Sequence, residues 1–234
     1  MLEVSGLHTH YGRAHILADV SFSLGRGEIV ALLGRNGAGK STTLKAIMGL
    51  VPASQGRIAF RDHEIAGWSP YRIARLGLGY VPEDRRVFPD LTVLENLEVG
   101  RRPPPDRHTT SFTPARLFEL FPNLATLGGR PADRISGGEQ QMLTVARTLM
   151  GNPHALLLDE PSEGLAPVIV GQLARTLREL KQSGLTILLA EQNLRFARAV
   201  TERALVIERG GIRFAGALSE LEADDRLRTA YLAV

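Results

Sequence analysis

The chain has 234 residues, a hydrophobic share of 44%, a charged share of 23% and a formal net charge of +3. Length and composition predict one large or two small folded domains and exclude a disordered chain, and so slight a positive balance does not by itself call for nucleic acid, although the basic isoelectric point suits anionic partners or a membrane surface. The absence of cysteine excludes a disulfide framework and a thiolate metal site, and no apolar run approaches the roughly 20 residues that span a bilayer.

The first residues alternate apolar and polar side chains from 2 to 7, which reads as a strand and not as a basic, apolar leader, so a cytoplasmic place, soluble or peripheral, is expected. Val20, Phe22 and Leu24 form a second alternating face, closed by a Gly25-Arg26-Gly27 turn, and the pair suggests half-buried antiparallel strands. Tyr11 lies between them and has two open readings: an aromatic platform for adenine, or a loop tyrosine packed on the core. Residues 29–33 are a short, wholly apolar run that reads as a buried strand. Gly34-Arg35-Asn36-Gly37-Ala38-Gly39-Lys40-Ser41-Thr42 follows and fits G-x-x-x-x-G-K-[ST]; residues 42–48 then place Leu44, Ile47 and Met48 at helical spacing, with Gly49 as a stop. Strand, glycine loop and helix in that order predict a phosphate cradle. Glycines let successive N–H groups turn inward and leave room for a phosphate chain against the backbone. Lys40 is expected to reach the β- and γ-phosphates, Ser41 to hold Mg²⁺, and the helix N-terminus to favour the anion.

Residues 56–60 read as a strand. Ser69-Pro70 starts a helix that ends near Gly77, and residues 78–81 form a strand stopping at Pro82, with Glu83-Asp84-Arg85-Arg86 in the loop beyond. The two arginines read as a solvated face. Thr92-Val93-Leu94-Glu95 is a capping box. The proline-rich string Arg101-Arg102-Pro103-Pro104-Pro105-Asp106 reads as a surface connection. Residues 92–129, with Leu117, Phe118, Leu120 and Phe121 as apolar content, read as a small helical insert. Ser136-Gly137-Gly138-Glu139-Gln140 opens a long helix with a second capping box and an apolar stripe of Met142, Leu143, Ala146 and Leu149. Two glycines in a first helical turn cost about 1 kcal/mol each relative to alanine. That weakness points to something approaching the backbone closely, and the bare N–H groups offer an anion site.

Residues 155–158 form a buried strand that delivers Asp159 and Glu160 at its C-terminal end, where parallel sheets bind ligands. Asp159 suits the Mg²⁺ shell and Glu160 the polarising of an attacking water. An amphipathic helix over 168–183, a strand over 185–190, the polar Glu191-Gln192-Asn193 and a hairpin about Gly210-Gly211 complete the pattern. The tail over 219–232 is expected to be helical, with Glu220, Glu222, Asp224, Asp225, Arg226 and Arg228 on a solvated face. Alternating strands and helices predict an α/β fold with a mostly parallel sheet.

The phosphate loop alone leaves all P-loop NTPases open. Together with Ser136-Gly137-Gly138-Glu139-Gln140, which resembles the ABC signature motif, and the strand into Asp159-Glu160-Pro161, which resembles a Walker B, the chain is identified as a member of the ABC ATPases. The resemblance implies a P-loop (RecA-like) parallel-sheet core with an antiparallel β subdomain and a helical insert: core over about 1–91 and 130–234, insert over about 92–129. It implies ATP and Mg²⁺ as cofactors, with Ser41, Asp159 and Glu83 toward the metal and Glu160, Gln192 and Glu83 at the chemistry. It also implies a head-to-tail dimer in which Ser136 to Gln140 of one subunit cap the ATP on the other's phosphate loop. Tyr80-Val81-Pro82-Glu83, Leu91-Thr92-Val93-Leu94-Glu95-Asn96-Leu97, Gly164-Leu165-Ala166-Pro167 and Glu191-Gln192-Asn193 resemble one ATPase of branched-chain amino-acid importers, with urea and amide importers close by. The implied partners are a second ATPase subunit, membrane permeases and, indirectly, an extracytoplasmic solute-binding protein, with no nucleic acid. The implied place is the cytoplasmic face of the inner membrane. Glu83, Ala166 and Gln192 stand where most ABC ATPases carry glutamine, aspartate and a switch histidine. A lipid or lipopolysaccharide exporter, which usually keeps that histidine, and a soluble ABC ATPase of repair or translation are the alternatives.

Overall fold

The computed structural model describes residues 1–104 and 111–224. In chain order its elements are β1 (Leu2–Tyr11), β2 (Ala14–Leu24), β3 (Ile29–Leu33), α1 (Lys40–Ile47), β4 (Ala53–Phe60), β5 (His63–Glu64), α2 (Pro70–Arg75), β6 (Leu78–Val81), α3 (Val93–Gly100), α4 (Pro114–Leu120) and α5 (Pro122–Ala125). After a 3-10 turn at Ala132–Arg134 come α6 (Gly137–Leu149), β7 (Ala155–Asp159), α7 (Pro167–Gln182), β8 (Thr186–Glu191), α8 (Leu194–Val200), β9 (Arg203–Glu208), β10 (Gly211–Ala217) and α9 (Leu218–Ala223). Two sheets result, an antiparallel one ordered β2-β1-β4-β5 and a six-stranded one ordered β10-β9-β3-β8-β7-β6. In the second, only the β9–β10 hairpin is antiparallel.

The parallel strands read as unbroken apolar runs because both of their faces are buried. Leu156 and Leu158 of β7 join one core cluster, whereas Ala155 and Leu157 join another. Ile187 and Leu189 of β8 divide from Leu188 and Ala190 in the same way. One cluster packs the sheet against α6, α7 and the helices over 92–129, through Leu97, Leu117, Phe121 and Leu124. The other packs it against α1 and the antiparallel sheet, through Leu7, Leu17, Leu44 and Phe60. Removing such a leucine to alanine costs about 2–5 kcal/mol, so either layer alone decides whether the sheet is stable.

Both predicted capping boxes form, Thr92 with Glu95 and Ser136 with Glu139. Other expectations change. β1 runs to Tyr11, which ends a strand and does not lie in a loop, since the hairpin turns on Gly12-Arg13 alone. Ser69 caps α2 without a side-chain hydrogen bond. Helix α8 was hidden because its N-cap, Asn193, follows two polar residues that read as loop; its Oδ1 accepts from Phe196 N–H at 3.1 Å. Pro105 and Asp106 of the proline-rich string, and the tail from Asp225 onward with Arg226 and Arg228, lie outside the described residues. Among the described residues no helix is long and apolar enough to cross a membrane.

The strand order is what positions the site. β3 lies between β9 and β8, and β7 beside β8, with Leu33 in register with Glu191 and Asp159 with Ala190. The loops leaving β3, β7 and β8 therefore meet at one edge of the sheet.

Candidate functional site

The loop from β3 into α1 owes its shape to glycines used in two ways. Gly37 and Gly39 have φ of 80° and 113°, a region that penalises any side chain. A Cβ on Gly34 would run into the Ile207 carbonyl, so there the requirement is close approach. Gly39 is also the N-cap of α1; it supplies no side-chain acceptor, and the first turn contains no acid. The leading N–H groups of that helix thus keep their donor capacity and their positive potential for an anion.

Lys40 is buried, with 3% of its surface exposed. Its Nζ donates to the carbonyls of Gly34 at 2.8 Å and Arg35 at 3.1 Å, and pairs with Glu160 Oε1 at 2.9 Å. Three oxygens around an ammonium satisfy all of its donors, which is what makes its burial tolerable. Arg35 contributes only that carbonyl; its side chain is exposed.

Asp159 ends β7 and is 1% exposed. Its Oδ1 accepts from Ser41 Oγ at 2.8 Å and its Oδ2 from the Tyr80 hydroxyl at 3.1 Å. Burial pushes the carboxyl above the ordinary range, against the pull of those two hydrogen bonds and of Lys45. Burial and the adjacent Asp159 likewise push the Tyr80 phenol up. Tyr80 was not singled out from the sequence as a site residue, since only the pairing of β6 with β7 brings it beside this carboxylate. Glu160 follows with φ of 45°, a left-handed conformation for a side chain, while its N–H donates to Ala190 O at 2.9 Å. Such a conformation costs on the order of 1–3 kcal/mol and is held only by its surroundings.

Glu191 is a second residue that sequence reasoning passed over. It is 2% exposed, and its carboxylate accepts N–H groups from Ser162 at 3.2 Å, Gln192 at 3.1 Å and Asn193 at 3.1 Å. Burial raises it, and these donors oppose the rise. The available signal was an acid closing an otherwise apolar strand, the same pattern that exposed Asp159.

A cavity of about 380 Å³ at this edge is lined by Tyr11, Ile16, Asn36, Gly37, Gly39, Lys40, Ser41, Thr42, Glu83 and Glu160. Tyr11 is 48% exposed at its mouth, which removes the reading of a tyrosine packed on the core. Gly34 and Ala38 are buried within the loop itself. Gln192 does not line the cavity; its side chain is exposed. A roomier cavity of about 660 Å³, lined by Arg26, Arg61, Leu185 and Thr186 among others, opens near the start of β8, away from every candidate residue. Chemistry, not size, selects the smaller one.

The start of α6 is a separate place. Ser136 N–H donates to Glu139 Oε2 at 2.7 Å and Glu139 N–H to Ser136 Oγ at 3.3 Å. Gln140 turns inward, its Nε2 donating to Ala132 O at 2.8 Å. Side chains thus claim the N–H groups of Ser136 and Glu139, and the flanks of the two glycines are filled. A Cβ on Gly137 would collide with Arg85 Nη1, and one on Gly138 would meet Ile169 at 3.2 Å. Arg85 is accordingly not a solvated arginine: its Nη2 donates to the Glu163 carbonyl at 3.0 Å. Arg86, which pairs with Asp84, does remain exposed.

The model of the ABC transporter family matches residues 17–163. The chain is 41% identical over 232 residues to the high-affinity branched-chain amino acid transport ATP-binding protein BraG of Pseudomonas aeruginosa, covering 99% of both chains. It is 34% identical over 239 residues to the lipopolysaccharide export system ATP-binding protein LptB of Escherichia coli K12, covering 99% of this chain and 96% of that one. Among solved structures it resembles an ATP-binding subunit of an ABC transporter, with a TM-score of 0.81, 29% identity and coverage of 99% and 96%. A nucleotide-free ATP-binding cassette from an ABC transporter gives a TM-score of 0.83 at 26% identity, covering 97% and 96%.

Proposed function

The chain belongs to the ABC transporter family, as a subunit that binds and hydrolyses ATP, and from that premise we propose that it powers an importer of branched-chain amino acids. The observation that carries the solute class is 41% identity to BraG across the whole chain. Identity to the lipopolysaccharide-export ATPase is seven points lower (41 − 34) over a comparable span, which makes export the second reading.

In this proposal the phosphates of ATP lie on the leading N–H groups of α1, with adenine against Tyr11 at the mouth of the cavity. Lys40 then exchanges one partner: phosphate oxygens compete with Glu160 for its ammonium, and the freed carboxylate polarises the attacking water. Ser41 Oγ and Asp159 Oδ1 are hard oxygens 2.8 Å apart, a donor pair that suits Mg²⁺, which takes one or two protein oxygens and completes its shell with phosphate and water. When bound, Mg²⁺ supplies neutralisation of phosphate charge. Glu83 faces the same cavity from the loop after β6, and Gln192 is a γ-phosphate donor that carries no charge.

Two chains pair head to tail, so that Ser136, Gly137 and Gly138 of one meet the ATP of the other, and Glu139 and Gln140 support that helix start through its cap and its turn. The helices over 92–129 act as a helical subdomain. The apolar groove exposing Leu50, Phe88 and Val99, bordered by Arg102 and Arg147, takes a cytoplasmic segment of the permease. The partner ATPase and an outside binding protein complete the importer, at the cytoplasmic face of the membrane. Reconstitution with permease subunits of a branched-chain amino-acid importer tests the solute: leucine, isoleucine or valine with the binding protein should raise ATP turnover. Stimulation by urea or short amides alone would overturn the solute assignment, and stimulation by lipopolysaccharide would favour the second reading.

A further inference from the structure

We propose that Arg85 is a positioning residue that locks the start of α6 and the turn after Glu160 to the loop carrying Glu83. The inference rests on the head-to-tail reading above, in which the start of α6 faces the partner's nucleotide. Three observations carry it. The guanidinium occupies a slot made by two glycines: a Cβ on Gly137 would collide with Nη1, and Nη2 would stand 3.3 Å from a Cβ of Gly164, whose φ of 63° itself suits glycine. Nη2 donates to the Glu163 carbonyl at 3.0 Å, so one fork spans two segments that the chain separates by 26 residues (163 − 137). The backbone of Arg85 is itself left-handed, with φ of 48°, a conformation that persists only where surrounding contacts fix it.

The electrostatics at home do not explain the placement. A cation against the N-terminus of α6 meets the positive pole of the helix, and the hydrogen bond of its guanidinium is to a neutral carbonyl. What the site rewards is shape: a planar fork reaches two glycine-lined walls at once, which a single ammonium cannot do. Glu83, two residues earlier, lines the phosphate cavity. A shift of that loop on nucleotide binding therefore carries Arg85, and with it both segments that the guanidinium touches.

The test uses the full chain in four variants. Glu160→Gln with ATP and Mg²⁺ should form a dimer on a sizing column; failure of this parent would count against the dimer reading and leave the lock to be judged by exchange. Adding Arg85→Ala should leave the Kd for ATP within twofold but weaken ATP-dependent association at least tenfold, and Arg85→Lys should not restore it. In the otherwise unmodified chain, Arg85→Ala should lower kcat at least tenfold with KM within twofold. Amide hydrogen exchange should speed up together in residues 136–140 and 162–165, with residues 34–42 unchanged. Undiminished protection in either segment, full rescue by lysine, or a parallel loss of ATP affinity would each overturn the proposal.

Discussion

Helices α1 and α6 both begin with glycines and both invite an anion, yet they are built for different duties. α1 starts on a left-handed glycine with no side-chain acceptor and no acid in its first turn. Its donors are unclaimed by side chains, and Lys40 beside them is fixed by carbonyls of the same loop. α6 starts on a complete capping box, so Ser136 and Glu139 already claim donors there and Glu139 sets a negative charge at the helix pole. Its glycines face Arg85 and Ile169, brought from distant parts of the chain. A cradle made of local backbone can bind phosphate by itself. In the proposed head-to-tail pair, a helix start whose donors are half spent binds weakly alone and serves as a lid completed by other elements.

The largest test of this contrast is Glu160→Gln. General-base catalysis contributes typically about 10²–10⁴-fold, so phosphate release should fall by that range while ATP stays bound; an unimpaired rate would remove Glu160 from its role. Lys40→Ala comes next. Hydrogen bonds to charged groups are worth about 1.5–3 kcal/mol, so ATP affinity of the single chain should drop by one to two orders of magnitude in a fluorescent-nucleotide titration. Retained affinity would mean that α6, or another site, binds phosphate independently. Ser136→Ala should act on the lid alone. Loss of the cap costs about 1 kcal/mol, or roughly 2–4 °C in Tm for a domain of this size, with the Kd for ATP of the isolated chain unmoved.

Asp159→Asn probes the cradle's own strain. Because burial holds this carboxyl above its ordinary range, the folded chain keeps the proton to higher pH than the unfolded chain does. The ionised group therefore removes stability as pH rises through and beyond the carboxylate range. The asparagine variant should melt higher than the parent at neutral pH without Mg²⁺, and the gap should close as pH falls below that range. A lower melting point at neutral pH would show that the hydrogen bonds from Ser41 and Tyr80 outweigh burial.

Much of the site was legible in the sequence because its parts are local. The phosphate loop lies within nine consecutive residues, both capping boxes within four, and Asp159-Glu160 at the end of one apolar strand. Those patterns depend on backbone φ, on caps and on period, all of which neighbouring residues decide. What escaped were contacts made by strand order. Tyr80 reaches Asp159 because β6 lies beside β7; Glu191 holds Ser162 because β8 lies on the other side of β7; Arg85 fills the space over Gly137. No spacing in the chain announces such neighbours.

The sequence by itself determined a nucleotide cradle, its lysine, its paired acids and the glycine-weakened helix start, since each is a statement about adjacent peptide units and their dipoles. Only the tertiary structure decided which of these share a cavity, which carboxylates are buried and shifted, and that Arg85 and Ile169 flank the glycines of the helix start. The physical reason is that burial and charge coupling belong to distances between segments, and those distances are fixed by packing two core layers on one sheet.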